Sequence, residues 1–419
     1  MRDNGAQACG APRRMLHVDI NAYFATMLQQ ENPFLRGRPV GVVKSEGRTC
    51  VIASSKEAKK LGVKTGCRVP EARALAPNIV LVPANFQMCL DATHRLRNIF
   101  AEIAPSYEIF SLDEAFIDLT DCARIYPDPH IVGRHIQSQI KKKLGEWVTC
   151  NVGISYNKLL AKLTSEMSPK GSVTEITRDN LDDMLMSAKF SEVCGIGYRL
   201  QKKLNAIGVT NPYMINFVSD EDLLRQFGPY WAPELRRIGR GEDSALLARE
   251  DTNPYMKSVG RSITGFKLCD DENTIRSVLY NLMEEVTYKV RKMNMAGRYI
   301  SIGLYGHDDA WWSHRTLKFY VRHTSDMFEL LYTELYKSWK RRFKVIKYSV
   351  MLSMLKPMGE VPIPLIGNWE KQDKIYRAID RITDKYGLFK VRSGVMLNVP
   401  VIRPEVTGYL GDKKFYGLG

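Results

Sequence analysis

The chain has 419 residues, of which 44% are hydrophobic and 26% charged, and a formal net charge of +15 at pH 7. The length allows about three domains, the charge predicts an anionic partner (nucleic acid before a membrane surface), and the lack of any apolar run near ~18 residues excludes a membrane span. Eight cysteines without a C-x-x-C pair and seven histidines without metal-ligand spacing indicate neither a zinc site nor a disulfide framework, and favour a cytoplasmic location.

Strands and helices alternate in the first part of the chain, after residues 1–14, which we expect to be a disordered tail. Residues 15–20 predict a strand, followed by a helix with Asn21 as its N-terminal cap. Residues 31–84 contain short strands, short helices and many turns, which indicates a small subdomain. The later elements are a helix at 86–104 with Leu90, Leu96 and Phe100 inward, a hairpin at 108–119, a helix at 130–144, a strand at 148–157 and a helix at 158–167. This alternation predicts an α+β sheet domain.

Two neighbouring acids, Asp113 and Glu114, interrupt the apolar run "SLDEAFIDL" at 111–119. On a flat strand the two side chains would point to opposite faces, and one would enter the core as an unpaired charge. A hairpin with both acids at its tip avoids this cost, although Asp-Glu is not a common turn pair. For the dipeptide alone, an ordinary polar hairpin turn is the favoured explanation.

A third acid, Asp19, lies at the end of the predicted strand 15–20, where capping of the next helix would explain it. Three carboxylates at neighbouring strand ends also form a plausible Mg²⁺ cage, because this hard cation prefers oxygen ligands. Two such ions ~3.5–4 Å apart can stabilise both the attacking and the leaving oxygen of a phosphoryl transfer.

Gly195 and Gly197 lie between two short predicted helices, in an arrangement similar to a helix-hairpin-helix. Backbone N–H groups at such a turn contact phosphates, and Lys202 and Lys203 follow directly. A purely structural turn explains the glycines as well.

A polar linker at 249–256 precedes a module at 257–356 with the predicted order β-α-β-β-α-β. The module contains eighteen Lys and Arg against ten Asp and Glu, about half of the excess charge of the chain. Its basic sheet face suits a DNA backbone better than a merely solvated surface. Core positions are predicted at Ile300, Ile302, Leu304, Leu317, Phe319 and Val321, with Arg298, Lys318 and Tyr320 near or on the other face.

Residues 357–419 are predicted to form a tail with one amphipathic helix. Its apolar stripe is expected to pack on this chain or on a partner, and consists of Ile375, Ile379, Ile382 and Tyr386.

Five motifs in order resemble the Y-family (translesion) DNA polymerases over residues 15–355, closer to the bacterial polymerase V type than to the polymerase IV type. They are "VDINAYFA" at 18–25, "YEIFSLDEAFIDLT" at 107–120, "VGISYNKLLAKLTSEMSPKG" at 152–171, "CGIGYRLQKKL" at 194–204 and "SVGRSIT" at 258–264. The resemblance implies a right-hand α+β architecture with a ferredoxin-like palm and a helical thumb. The implied boundaries are palm 15–30 and 85–180, fingers 31–84, thumb 181–248 and little finger 257–356.

The resemblance also implies roles for individual residues. Asp19, Asp113 and Glu114 would bind two Mg²⁺ ions, or Mn²⁺ as a substitute, with the Ile20 carbonyl near the metal. The residues implied at the nucleotide are Tyr23, Phe24 as a steric gate, Lys158 at the triphosphate, and Lys56 and Lys59. The residues implied at DNA are Gly195, Gly197, Lys202, Lys203, Arg261, Arg298 and Lys318.

Two features depart from the family pattern. Many members have "YEAR" where this chain has "KEAK" at 56–59, so positive charge is kept but the planar grip of arginine is lost. The segment "VPIPLIGNWE" at 361–370 lacks the glutamine of a clamp-binding peptide.

For both aromatic residues of the nucleotide site, Tyr23 and Phe24, packing in the core is the competing interpretation.

The sequence therefore predicts a template-directed DNA polymerase that adds dNTPs to a primer 3′-OH, with low fidelity past damaged bases in DNA repair. Its predicted partners are primer–template DNA, dNTPs, and a sliding clamp or accessory subunit, with the chain itself a monomer. The alternatives are a catalytically weak DNA-binding scaffold of the same family that recruits another polymerase, and a two-metal nuclease.

Overall fold

The computed structural model describes residues 13–44, 50–247, 256–340, 342–362 and 369–397, which form two compact units. The first unit contains the described residues up to 247 and the second those from 256 onward. The predicted linker lies between the units and, except for Met256, outside the described residues. Of the predicted N-terminal tail, only Arg13 and Arg14 are described. No helix in these ranges is long and apolar enough to cross a membrane.

The first unit contains eight strands and nine α-helices within its described residues. Its strands are β1 (Met15–Ile20), β2 (Val40–Val43), β3 (Val51–Ser54), β4 (Val80–Pro83), β5 (Tyr107–Ile109), β6 (Glu114–Asp118), β7 (Cys150–Ser155) and β8 (Val173–Glu175). Its helices are α1 (Tyr23–Glu31), α2 (Lys56–Lys60), α3 (Val69–Leu75), α4 (Phe86–Ile103), α5 (Pro129–Leu144), α6 (Lys158–Met167), α7 (Leu181–Ser187), α8 (Tyr198–Ala206) and α9 (Asp220–Gly239).

The central sheet has the order β5-β6-β1-β7-β8. Neighbouring residues of β7 face opposite sides of it. A Cβ added to Gly133 of α5 would lie 3.4 Å from Val152, so α5 covers that face. A Cβ added to Gly153 would overlap the backbone carbonyl of Ala161, so only glycine lets α6 lie this close to the other face. α6 therefore lies directly over β1 and β7.

Two smaller bodies complete the first unit. Strands β3, β2 and β4 form a separate sheet, in the predicted fingers segment. The predicted thumb segment is helical, and its buried core includes Leu185, Phe190, Leu204 and Leu235. The boundaries of palm, fingers and thumb stay predictions.

The predicted cap of the first helix is wrong. α1 begins after Ala22, which adopts the left-handed conformation at φ 51°. The Asn21 side chain instead donates to the Thr149 hydroxyl at 3.2 Å. The chain turns one residue later than the sequence pattern indicates.

The second unit follows the predicted β-α-β-β-α-β order. Its elements are β9 (Ser258–Cys269), α10 (Glu272–Lys292), β10 (Met295–Tyr305), β11 (Ala310–Val321), α11 (Thr324–Leu330), β12 (Val345–Ser353), β13 (Lys356–Pro357) and α12 (Trp369–Tyr386). The sheet order is β11-β10-β12-β9 with antiparallel neighbours. β12 is thus inserted between β9 and β10, as in a split β-α-β unit. The buried core includes Phe389 and Met396, so this unit extends beyond residue 356.

One predicted inward position of this unit is wrong. Phe319 is exposed, because the pairing of β10 with β11 shifts between Gly297 and Tyr299, and such a bulge changes the side-chain alternation. The predicted apolar stripe of α12 faces outward, with Ile375, Ile382 and Tyr386 exposed, and its packing on a partner stays a prediction. The helix packs through its polar side, where Asp373 and Tyr376 are buried.

Candidate active site

The three predicted acids meet at one end of the central sheet. Asp19 lies directly opposite Glu114 in the antiparallel pairing of β1 with β6. His17, two residues before Asp19, lies 2.6 Å from the Ser165 hydroxyl of α6, so both β1 side chains face α6. Asp113 lies in the turn that precedes β6, as the hairpin interpretation predicted.

Hydrogen bonds fix the turn that carries Asp113. The Ile20 N–H donates to the Asp113 carbonyl at 3.0 Å, which ties the turn to the end of β1. The Ser111 hydroxyl donates to the Asp113 carboxylate. The Asp113 N–H donates to the same hydroxyl at 3.2 Å. Ser111 therefore orients Asp113 from both sides.

Glu114 is held by a lysine of α6. The Lys162 ammonium donates to Glu114 Oε2 at 2.6 Å, and both side chains are largely buried. His17 Nε2 lies 3.7 Å from the same oxygen, too far for a hydrogen bond. Burial disfavours the charged form of Glu114, but the His17 ring and the Lys162 ammonium outweigh it and lower the pKa of Glu114 to about 2.

Asp19 has the opposite environment. Burial, followed by the charges of Asp113, Glu114 and Glu166, raises the pKa of Asp19 to about 7, while Lys170 opposes the rise. Burial also raises the pKa of Asp113, against the hydrogen bond from Ser111. The three acids therefore repel one another in a partly buried site, which is the electrostatic condition that a bound cation relieves.

The chemistry of these oxygens fits a hard divalent cation, but their present grouping does not enclose one. Within the described ranges, no three His, Cys, Asp or Glu side chains form a group that could hold a metal ion. One oxygen of Glu114 is engaged by Lys162. An ion at this site would require Glu114 to leave or share that contact.

The two aromatic residues after β1 have different surroundings. Tyr23 is only 2% exposed, and its hydroxyl donates to the Cys89 carbonyl at 2.6 Å. These contacts support the core interpretation of its ring, and its place beneath a nucleotide stays a prediction. Phe24 is half-buried, with edge contacts to Tyr23 and Phe86 at 5.7 Å. One part of the Phe24 ring remains accessible next to the acids' strand.

The predicted triphosphate lysine is already paired. Lys158 donates to Glu108 at 2.7 Å, and both side chains are largely buried. The lysine whose charge acts on Asp19 is Lys170, in the "SPKG" turn after α6. In the fingers segment, Lys56 Nζ lies 3.4 Å from the hydroxyl of Thr149, the partner of Asn21, and thus near the end of β1.

The predicted helix-hairpin-helix turn is open to solvent. Gly195 has φ +96°, a conformation that favours glycine, and Gly197 precedes the first residue of α8. Lys202 and Lys203 are exposed on α8. A Cβ added to either glycine would meet nothing within 4 Å, so the turn leaves room for a ligand backbone.

The three predicted DNA contacts in the second unit differ in exposure, and the burial of one of them argues against its role at DNA. Arg261 is 5% exposed and donates to Glu285 at 2.7 Å inside the core. Lys318 is exposed, and Arg298 is half-buried with its guanidinium 5.9 Å from the Tyr320 ring. An arginine on a strand can thus be a buried ion-pair partner rather than a phosphate ligand.

Sequence reasoning missed the residues that surround the acids and act on their orientation or charge. They are His17, Ser111, Lys162, Glu166 and Lys170. A signal was present, because Lys158, Lys162 and Glu166 recur at four-residue spacing and so share one side of α6. The sequence alone does not show that this side of α6 faces the acids, because that depends on where the hairpin places Asp113 and Glu114.

Comparison with known proteins assigns the family. Residues 18–166 match the impB/mucB/samB family, and residues 256–365 match the C-terminal domain of that family. A DNA polymerase IV of Moorella thermoacetica is 30% identical over 387 residues, covering 91% of this chain and 96% of that protein. The chain belongs to the Y-family of DNA polymerases. A DNA polymerase IV of Acetivibrio thermocellus is 29% identical over 392 residues, covering 92% and 98% of the two chains.

Solved structures agree with this assignment. A Y-family polymerase chimera of Dbh and Dpo4 superimposes with a TM-score of 0.71 at 26% identity, covering 84% of this chain and all of that one. An insertion ternary complex of Dbh DNA polymerase superimposes with a TM-score of 0.56 at 26% identity, covering 82% and 99%. The predicted α+β polymerase fold and the DNA-directed translesion polymerase class are confirmed. The predicted closeness to polymerase V is not supported, since these relatives are named DNA polymerase IV.

Proposed function

We propose that the polymerase adds dNTPs to a primer 3′-OH at the end of β1, with Asp19, Asp113 and Glu114 as ligands of divalent metal ions. The observation that carries this proposal is the meeting of the three carboxylates at one end of the central sheet, where burial and then the neighbouring acids raise the pKa of Asp19 to about 7. Y-family polymerases depend on divalent metals, and Mg²⁺ with Mn²⁺ as a substitute suits an all-oxygen site. When bound, such ions neutralise charge on the reacting phosphate and activate the 3′-oxygen.

The chain's own residues have separate tasks in this site. Ser111 holds the Asp113 carboxylate in one orientation. Lys162 keeps Glu114 ionised and neutralises it while no cation is present. The Ile20 N–H holds the turn that carries Asp113 against the end of β1. We propose the Ile20 carbonyl as a further oxygen near the metal.

For the nucleotide, we propose Phe24 as the group beneath the sugar. Its half-buried ring follows Asp19 by five residues and lies on the first turns of α1. Lys56, Lys59 and Lys170 are the proposed cations for the triphosphate. The contact of Lys56 with Thr149 and the effect of Lys170 on Asp19 support their closeness to the acids. The buried pairing of Lys158 with Glu108 makes it the weaker candidate.

For primer–template DNA, we propose two contact surfaces. One is the open turn with Gly195, Gly197, Lys202 and Lys203, whose backbone N–H groups and ammonium groups suit phosphates. The other is the basic second unit, through Lys318 and Arg298. A sliding clamp or accessory subunit, a monomeric state and a cytoplasmic location stay predictions. Within the segment 361–370, where a clamp-binding peptide is expected, residues 363–368 lie outside the described residues.

Primer extension tests the proposal. Asp113→Asn and Glu114→Gln should lower single-dNTP incorporation by orders of magnitude, because loss of metal charge neutralisation costs several kcal/mol in the transition state. Primer–template affinity should change little, since other surfaces hold the DNA. Glu102→Gln is the matched control, since Glu102 is an exposed acid of α4 that pairs with Lys143. Near-normal extension by both site variants would refute the assignment.

The same assay separates the rival activities. Growth of the primer only when a dNTP is present distinguishes a polymerase from a two-metal nuclease, which would shorten it. A catalytically inactive scaffold would bind primer–template DNA without extending it.

A further inference from the structure

Helix α12 is attached to the second unit through polar contacts. The Asp380 carboxylate accepts hydrogen bonds from the buried Arg291 guanidinium at 2.9 and 2.8 Å. The Tyr376 ring stacks on the buried His323 with the ring centroids 5.1 Å apart. Such charged and stacked contacts are directional, so they set the rotation of the helix about its axis.

This rotation leaves the apolar side of α12 in solvent. Ile375 is 49% exposed, Ile382 38% and Tyr386 57%, and Ile379 is half-buried. These four residues, at positions i, i+4, i+7 and i+11, form one continuous line along the helix, here called the outer stripe. Large apolar side chains that remain exposed in a row are typical of an interaction surface rather than of a free helix.

One edge of the outer stripe is strongly basic. Its cations, here called the basic flank, are Lys371, Lys374, Arg381 and Lys385, all exposed. None of the four lies within ion-pair distance of a carboxylate of the described residues. The one acid in the first turn, Glu370, is exposed as well. The surface is thus apolar along its centre and positively charged along one side.

We propose that the outer stripe and the basic flank form a docking site for an amphipathic helix of a partner protein, with an apolar seam and acidic residues beside it. A helix of this kind buries the stripe and pairs its acids with the flank, as in helix-in-groove and coiled-coil recognition. A second copy of this chain fits less well, because its own basic flank would add like charges to the interface. Duplex DNA would neutralise the flank but leave the apolar stripe without a partner.

Binding of two synthetic peptides to the full-length chain tests the proposal. Both are labelled amphipathic helices with leucine along one stripe, and they differ only in glutamate or lysine beside it. Fluorescence anisotropy should show about tenfold tighter binding of the glutamate peptide. Ile382→Asp should weaken that binding about tenfold. The double variant Lys371→Glu with Lys385→Glu should reverse the preference toward the lysine peptide.

Controls separate docking from damage to the fold. Lys340→Glu makes one such lysine-to-glutamate change at another exposed position of the second unit and should leave peptide binding unchanged. Thermal melting should show that Ile382→Asp keeps the stability of the wild type, because the side chain is exposed. Primer extension by this variant should also be normal, which keeps the test independent of the proposed active site.

Four results would overturn the proposal. They are no binding of the glutamate peptide, equal binding of both peptides, a wild-type dimer in analytical ultracentrifugation that Ile382→Asp dissociates, and a loss of duplex affinity in Ile382→Asp. The third result would assign the surface to a second copy, and the fourth to DNA.

Discussion

Asp19 should destabilise the folded protein whenever its carboxylate is ionised and no cation is bound. Its pKa rises from the ordinary 3.8 to about 7, chiefly through burial and then through the neighbouring acids. A raised carboxyl pKa in the folded state means that the unfolded chain ionises first. The effect of Asp19 on the free energy of unfolding is therefore absent below pH 3.8. The free energy of unfolding falls as the pH rises from 3.8 toward 7, and Asp19 changes it no further above pH 7. The full loss is at most about 4 kcal/mol, at ~1.36 kcal/mol for each pH unit between the two values.

Replacement of Asp19 by Asn should remove this loss. In EDTA at pH 8, Asp19→Asn should melt several degrees above the wild type, since about 1 kcal/mol shifts the melting temperature by roughly 2–4 °C in a domain of this size. At pH 4 the difference should be close to zero, because the loss of stability begins only where the carboxyl of the unfolded chain ionises, near pH 3.8. Added Mg²⁺ should raise the melting temperature of the wild type but not of the variant, and primer extension by the variant should be lost.

Differential scanning calorimetry across pH 4 to 8 measures the effect directly. Glu102→Gln is the control, because its exposed carboxylate pairs only with Lys143. A melting difference that does not change with pH, or an Asp19→Asn variant less stable than the wild type at pH 8, would refute the electrostatic account of the site.

Three further variants test the other assignments. Phe24→Ala should stay folded and accept ribonucleotides far better than the wild type. The measurement is the ratio of dCTP to CTP incorporation opposite template G, and an unchanged ratio in a folded variant would exclude Phe24 as a steric gate. Arg261→Leu should destabilise the second unit by about 3–5 kcal/mol, because the substitution removes one partner of a buried ion pair and leaves the other charge in the core. A weaker DNA affinity without loss of melting temperature would instead support the DNA role. Lys162→Met should lower the melting temperature, and adding Glu114→Gln to that variant should recover most of the loss. The coupling energy between the two substitutions should be about 1–3 kcal/mol, and purely additive effects would show that the pair is not coupled.

The sequence predicted the elements and the meeting of the acids well. Alternating apolar positions and turn residues placed β1 and the hairpin, and the carboxylates follow from where those strands end. The order of strands and helices in the second unit could be predicted equally well, because each element there is long and has a clear periodicity.

Contacts between side chains and groups from distant parts of the chain could not be predicted in this way. Arg261 has no local sign of its pairing with Glu285, which lies twenty-four residues further on a different element. Tyr23 follows the same logic, since its hydroxyl partner, the Cys89 carbonyl, belongs to α4. A motif gives a residue type and a position, but burial depends on which element packs against it.

Helix α12 shows a limit of pattern reasoning of another kind. The usual rule places the apolar stripe of a helix toward the core. Here the inward side carries Asp373, Tyr376 and Asp380, whose partners on the second unit are cations and a histidine. A basic module can thus bind a helix through its acids, and composition alone does not show which of two amphipathic sides is used.

Strand register explains how three repelling acids can be held together at all. Val18 faces the same side as Val152, toward α5, while His17 and Asp19 face α6. A slip of one residue would exchange the two sets and move Asp19 away from Glu114. Because both faces of β1 are covered by packed helices, that slip would expose buried apolar side chains and bury a charge. Packing on both faces of the sheet therefore supplies the free energy that keeps the carboxylates at one end of the sheet, and the repulsion among them is what a cation would relieve.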